Sequence, residues 1–420
     1  MGLTAEGYSP RVVQKVVRQG GKSPSFGEAS EDLRDLGCIQ ISPRHVETLV
    51  ERIGGEWAQN RDADVTAFRQ GQLKRDFAQP PTVSAVMLDG GRAQTRAENQ
   101  PPGVHEPGWK ETKVACCLTL NSKVSEQDPQ PEPPSKFLDP PKVAKLVRQM
   151  KARGGICGPD AQSQDRKGKD KQPAVNKKRK RSRCKKRRVK RLVRTAVATM
   201  ADAETFGWQV AAEVHRRGLD QAKQKACVCD GALSNWSIFE MHLEPAGFIG
   251  ILDFLHMLVY LYSAACAVSG KTAEKTLKAW TLYERWMRWA WAGKAKEVLE
   301  ELRQAAEKLG RPPAGIDEKD PRRVVADAVS YLTNNQPRMD YPRYRKLGLP
   351  ISSAPVESLI KQINRRVKGS EKFWLKPNIE AVLQIRAAYL SEDGRAERYW
   401  DRPRPYRRAA GARPPAKKAA

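Results

Sequence analysis

The chain has 420 residues, with 76 lysines and arginines against 48 aspartates and glutamates, a formal net charge of +28. An excess of that size is the electrostatic footprint of a protein that meets a polyanion, and double-stranded DNA is the expected partner. None of the cysteines shows the C-x2-C spacing of a zinc ribbon and no stretch reaches the roughly twenty apolar residues that span a bilayer, so reduced thiols in a cytoplasmic, nucleoid-associated protein are expected and a membrane is not.

In chain order, residues 1–60 read as a helical DNA-binding region. Val12, Val13, Val16 and Val17 recur at helical spacing, as do Phe26, Ala29, Leu33 and Leu36; after a break at Gly37, Ser42-Pro43 opens a further helix with Val46, Leu49, Val50 and Ile53 on one side. The pattern suits a helix-turn-helix, whose Arg44, His45, Thr48 and Arg52 would face DNA, and equally a small structural bundle. Residues 78–120 hold two strands, Thr82 to Leu88 and Lys110 to Leu120. Residues 121–190 read as a mostly disordered linker with too little apolar content to pack. It contains the proline-rich Asp128 to Pro134, a short helix from Pro141 to Arg153, and a basic run in which thirteen lysines and arginines lie between Lys177 and Arg194 with no acidic residue. That run is expected to bind phosphates, or else to be a solvated linker and nothing more. Residues 191–268 resume an α/β core with a helix through Phe206 to Arg217, strands at Ala226 to Cys229 and Phe248 to Leu252, and an apolar helix from Phe254 to about Val268. A helical insertion occupies 269–345, residues 346–395 add one more amphipathic helix, and 396–420 read as a disordered basic tail.

Three carboxylates stand out in this layout. Asp89 ends the apolar run Val83 to Leu88 and precedes Gly90-Gly91, and Asp230 ends Ala226 to Cys229 and precedes Gly231. Glu357 shares the polar face of its helix with Lys361, Asn364, Arg365 and Lys368, opposite Val356, Leu359, Ile360, Ile363 and Val367. Two strand-end aspartates and a helical glutamate can converge on a pair of divalent ions, Mg²⁺ or Mn²⁺, that activate a water or a DNA 3′-hydroxyl and stabilise the leaving oxygen. Ser352 or Ser353 can cap the helix and Pro355 fits its first turn, which puts Glu357 near the positive end of the helix dipole, where it stays ionised. Each residue also has a plainer reading. Asp-Gly after an apolar run is commonly a turn, Glu357 can pair with Lys361 one turn on, and Asp253, before His256, can be a simple helix N-cap.

Several motifs follow one another in a characteristic order: Leu88-Asp-Gly-Gly-Arg-Ala-Gln94, Gly108-Trp-Lys-Glu-Thr-Lys-Val114, Asp230-Gly-Ala-Leu-Ser-Asn-Trp236 and Ile251-Leu-Asp-Phe-Leu-His256. They continue with Asn334-Asn-Gln-Pro-Arg-Met-Asp-Tyr-Pro-Arg-Tyr344, Gly348-Leu-Pro-Ile-Ser-Ser353, Val356-Glu-Ser358 and Asn364-Arg-Arg-Val-Lys-Gly-Ser-Glu-Lys-Phe-Trp374. From about Gly2 to Arg395 the chain resembles the ISKra family of insertion-sequence transposases, enzymes of the DDE type. The resemblance implies a ribonuclease-H-like α/β core with a helical insertion, in which Asp89, Asp230 and Glu357 are the catalytic, metal-binding carboxylates and Asp253 and His256 an accessory pair. It implies cleavage and joining of DNA at the element's ends by a protein that oligomerises on DNA. Family members begin with a cysteine-rich zinc-binding segment, and the resemblance starts just after it, so a truncated copy is expected.

Arg343, Arg345, Arg365, Arg366, Lys368 and Lys372, with Lys361, flank the Glu357 helix and are the expected phosphate contacts near the metal site. Trp280, Trp286, Trp289 and Trp291 are expected to pack the insertion against the core, with stacking of one ring on an unpaired base as the alternative. Two other functions fit the same residues: an inactive transposase remnant that only binds DNA, and a metal-dependent nuclease or junction resolvase.

Overall fold

A computed structural model describes residues 7–106, 108–151, 189–270 and 273–402. Three helices come first, α1 (Pro10–Lys22), α2 (Phe26–Gly37) and α3 (Pro43–Arg69), and each starts on a serine whose hydroxyl accepts a first-turn N–H: Ser9, Ser25 and Ser42. Val13, Val16, Val17, Ala29, Leu33, Val46, Leu49, Val50 and Ile53 form their shared interior. α3 is longer than the predicted region; its second half lies along the C-terminal helices, so the N-terminal helices and the sheet share one continuous core.

Next come β1 (Val83–Thr95) and β2 (Trp109–Asn121), then α4 (Pro140–Lys151), β3 (Lys190–Thr199), α5 (Ala203–Arg216), β4 (Gln224–Cys229), α6 (Leu233–Ile238), β5 (Ile249–Leu252) and α7 (Phe254–Ser269). The insertion contributes α8 (Ala273–Trp291), α9 (Ala295–Leu309), α10 (Pro321–Asn335) and α11 (Tyr341–Lys346). The chain closes with α12 (Ala354–Val367), the short β6 (Phe373–Trp374), α13 (Lys376–Leu390) and α14 (Arg395–Asp401). The architecture is α/β: one sheet in the order β3-β2-β1-β4-β5, with β6 added at the far end of β1. β1, β2 and β3 pair antiparallel, whereas β4 and β5 continue from β1 in parallel. Among the described residues no helix is long and apolar enough to cross a membrane.

Three sequence expectations are corrected. β1 does not end at Leu88: it runs through Asp89-Gly90-Gly91 as a two-stranded ribbon with β2, so this Asp-Gly is not a turn. Gly91 is needed there because a Cβ would lie 2.7 Å from Thr112 Oγ1 and 3.1 Å from Asn364 Oδ1 of the helix above. β3 was not predicted, since the basic run merges into it. Its Lys190, Arg191 and Arg194 belong to the sheet rather than to an arm, and Arg194 is buried, donating to Leu390 O. The rest of the run, 177–188, lies outside the described residues. Finally, the stretch from Asn121 to Lys151 packs against the insertion instead of lying loose: Phe137, Val143, Val147 and Met150 are buried, and Gln130 O accepts from Trp291 Nε1 at 2.9 Å.

Candidate metal centre

Strand register builds the site. Leu88 of β1 lies opposite Cys229 of β4, and Cys229 lies opposite Leu252 of β5. The next residue on each strand is an aspartate, so Asp89, Asp230 and Asp253 stand side by side where the parallel pairing stops. The sequence puts the buried Cys227 and Cys229 on β4 as core thiols, and their sulfurs lie 3.5 Å apart beneath Asp230. α12 packs over β1 with Glu357 in its first turn, and His256 projects from the first turn of α7. Asp253, His256 and Glu357 each offer a ligating atom within 4.8 Å of the others.

The three aspartates are held by named donors. Gly90 N donates to Asp89 Oδ1 at 2.7 Å. Ala232 N and Asn235 Nδ2 both donate to Asp230 Oδ1 at 3.0 Å. Tyr331, from the insertion, donates to the Asp230 carbonyl at 2.6 Å and stacks on Tyr260 of α7 at 3.8 Å between centroids. Gly231 makes this possible: it has φ +99°, and a Cβ would lie 2.5 Å from the Tyr331 ring. Asp253 is the most engaged of the three. Leu255 N donates to Oδ1 at 2.9 Å, while His256 Nδ1 and Ser353 Oγ meet Oδ2 at 2.7 and 2.5 Å. Asp253 is therefore the helix N-cap foreseen and a holder of His256 at once, and Ser353 spends its hydroxyl on Asp253 rather than on capping α12.

The electrostatics are those of an anionic cluster short of positive charge. Burial and the neighbouring Asp230 push the Asp89 carboxyl up to about 7, against the opposing pull of His256. Burial disfavours the His256 imidazolium, but the hydrogen bond and charge of Asp253, with Asp230 and Asp89 beyond, raise it to about 9. His256 is held by Asp253 through Nδ1, and together with Asp253 and Glu357 it forms the group whose ligating atoms lie close enough to share a metal ion. Asp89 and Asp230 stand beside that group, and the negative charge gathered there is what a bound metal cation would relieve, so the residues present fit a cation.

The expected DNA contacts divide in two. Arg44, Thr48, Arg343, Lys361, Arg365 and Lys368 are exposed. Arg44 is ion-paired with Glu47 at 2.7 Å and Arg52, half-buried, with Glu56 at 3.0 Å, while His45 is half-buried beside Tyr8. Arg345 and Arg366 are corrected outright, because neither reaches solvent. Arg345 is 0% exposed, bound to Asp128 and donating to Trp291 O at 2.9 Å with its guanidinium 4.2 Å from the Trp291 ring. Arg366 is 2% exposed and donates to Gly20 O at 2.9 Å and Pro24 O at 3.2 Å, with Phe26 and Trp374 against its guanidinium. It ties the α1–α2 corner to the helix that bears Glu357. Lys372 is half-buried and donates to Arg366 O. Of the four insertion tryptophans, Trp286 and Trp291 are core, and Trp280 and Trp289 pack against it from its margin.

Sequence reasoning missed Asn235 and Tyr331 at the site, and read Ser353 only as a helix cap. The first lies one helical turn from Asp230 and could have been suspected; the other two reach the site only through tertiary packing. No protein-family model matches the chain, and no curated protein matches it significantly in sequence.

Proposed function

We propose that the chain is a DDE-type transposase, as the ordered motifs suggest, which cleaves DNA at an element's ends and joins it to a target. The observation that carries this reading is the convergence of Asp89, Asp230 and Glu357 at one end of the sheet, beside the Asp253–His256 pair and exposed cations of α12. The sheet order, three antiparallel strands continued by two parallel ones with carboxylates where the parallel pairing stops, supports a ribonuclease-H-like core. Asp89, Asp230 and Glu357 would hold Mg²⁺ or Mn²⁺, which when bound supplies an activated water or 3′-hydroxyl and a charge for the leaving oxygen.

The chain's own residues do the rest. Gly90 N fixes one oxygen of Asp89, and Ala232 N and Asn235 fix one oxygen of Asp230, which leaves a second oxygen of each to face the reaction. Ser353 and Leu255 hold Asp253, and Asp253 holds His256 in its charged form toward the same space. Lys361, Arg365 and Lys368 would bind backbone phosphates and set the strand's path without reading its sequence.

The test is a pair of assays with Mg²⁺ on DNA carrying the ends that flank the coding region: strand cleavage, and joining of the freed 3′ end to a target plasmid. Cleavage and joining, both lost in Glu357→Gln, are the expected result. Cleavage without joining would make the protein a nuclease, and DNA binding without either would make it a remnant.

A further inference from the structure

The aromatic ring offered to solvent near the metal centre is not in the insertion, where the tryptophans cluster, but on the β1–β2 ribbon. Trp109 is 40% exposed, and among the described residues no other ring packs against it. It stands opposite Gln94, five residues along β1 from Asp89. α12 runs alongside in the same direction: Glu357 is beside Asp89, Asn364 meets Gly91, and Lys368, just past the helix end, brings Nζ to 5.5 Å from the Trp109 ring centroid. The lengths agree, since five strand residues span about 17 Å and eleven helical positions about the same. Gln94 Nε2 fastens the two elements by donating to Gly369 O at 2.8 Å and Ser370 O at 3.1 Å. The result is a rigid strip leading from the carboxylates to an exposed indole.

The strip is cationic. Lys361, Arg365 and Lys368 are exposed along it, and among the described residues none of them forms an ion pair. Uncompensated lysines and arginines beside an open indole are the combination that holds a single strand: cations track phosphates and the ring stacks on a base regardless of its identity. About 17 Å corresponds to roughly five nucleotides of a stacked strand, fewer if the strand is drawn out.

We propose that Trp109 is a stacking platform for an unpaired base of the DNA strand that leaves the metal centre, so that the preferred substrate is a duplex end opened over its last few nucleotides. The inference rests on the DNA-processing reading above and adds to it a strand path and a residue. Opening the end separates the scissile phosphate from its complementary strand, and the ring captures a base that would otherwise re-pair.

The test compares a blunt duplex with the same duplex bearing a short single-stranded 3′ overhang that carries 2-aminopurine, both with Ca²⁺ in place of Mg²⁺. The full chain should bind the overhang DNA about tenfold more tightly and quench the 2-aminopurine, as one stacked base is worth in such sites. Trp109→Ala should lose most of that preference and the quenching, while Trp109→Phe should keep most of both. A preference that persists in Trp109→Ala, or an equal loss on both DNAs, would overturn the stacking role. Binding and Mg²⁺-dependent cleavage by the wild type with no preference for the overhang would remove this inference alone. Failure of the wild type to bind either DNA would remove the transposase reading and this inference with it.

Discussion

Two clusters of buried or half-buried charge sit on the same sheet, and they are solved in opposite ways. At the β2–β3 side, Glu213 of α5 is met by Arg395 at 2.6 Å, by Arg216 and by Thr195 Oγ1 at 2.5 Å, while Arg395 also binds Asp393 at 2.8 Å. Glu213 is wholly buried, yet its two arginines outweigh that burial and hold its carboxyl well below the usual carboxylate range. At the β1–β4–β5 side, Asp89, Asp230, Asp253 and Glu357 gather around one histidine, and Asp89 moves the other way. A buried charge is tolerated when it is paired and is costly when it is not. The first cluster is complete as it stands and serves the fold; the second is short of cations, which supports the proposed function.

The sharpest way to break the comparison is to remove the charges of the incomplete cluster. Replacing Asp89, Asp230 or Glu357 by Ala should lower Mg²⁺-dependent strand cleavage by roughly a thousandfold or more while the protein stays folded and bound to DNA, because these groups act on the reaction and not on affinity. Residual cleavage within about tenfold of wild type in any of the three would take that residue out of the centre. The complete cluster should behave in reverse. Arg395→Met leaves Glu213 and Asp393 buried without their partner and should cost about 3–5 kcal/mol of stability by urea unfolding. It should also move acid unfolding to higher pH. Glu213 has a depressed folded pKa, so its contribution is present above the unfolded carboxylate range and is lost as pH falls through the folded value; without Arg395 that value rises toward the ordinary one.

A smaller effect tests the electrostatics of the centre without catalysis. Asp89 titrates near 7 in the folded chain, above its ordinary value. Its contribution to metal-free stability is therefore present below the unfolded carboxylate range and is lost as pH rises through about 7. Mg²⁺ should raise the melting temperature more at pH 8 than at pH 6, and metal-free Asp89→Asn should melt above wild type at pH 8 but close to it near pH 4. A Mg²⁺ effect that does not depend on pH would mean that Asp89 does not hold the ion.

The difference between the clusters also explains what could be read from the sequence. Asp89 and Asp230 were legible because each follows an apolar run and precedes glycine, and Glu357 because the helical period of α12 sets it opposite Val356, Ile360 and Ile363. Their convergence was an expectation from that pattern, but the register of Leu88 with Cys229 and of Cys229 with Leu252, which sets the aspartates side by side, was not legible. Of the glycines that suggested a turn after Asp89, Gly91 instead allows α12 to approach β1. β3 was hidden because Lys190, Arg191 and Arg194 continue a basic run, and charge spoils the alternation that marks a strand. Glu213 gave no sign of Arg395, its partner 182 residues further along. Arg345 and Arg366 looked like surface cations for the same reason: Asp128 is 217 residues from the first, and Gly20 O is 346 from the second.

That last misreading supplies the final and smallest test, which separates two kinds of arginine on one helix. Lys361, Arg365 and Lys368 point outward from α12 and its end, whereas Arg366, between them in sequence, points inward to the α1–α2 corner, where burial and Arg386 lower its pKa to about 10. Counterion release ties the salt slope of DNA binding to the number of phosphates neutralised, at about 0.9 per contact. Replacing all three outward residues by Ala should flatten the slope by about two to three units and leave the melting temperature within a degree or two, since exposed cations contribute little to the fold. Arg366→Met should leave the slope as it is and cost about 1–3 kcal/mol, because Gly20 O and Pro24 O lose their donor inside the core. Urea unfolding and a salt titration of duplex binding read the two effects separately. If Arg366→Met flattens the slope as much as the triple change does, the corner is not a structural tie and that part of the interface has to be redrawn with the α1–α2 corner facing DNA.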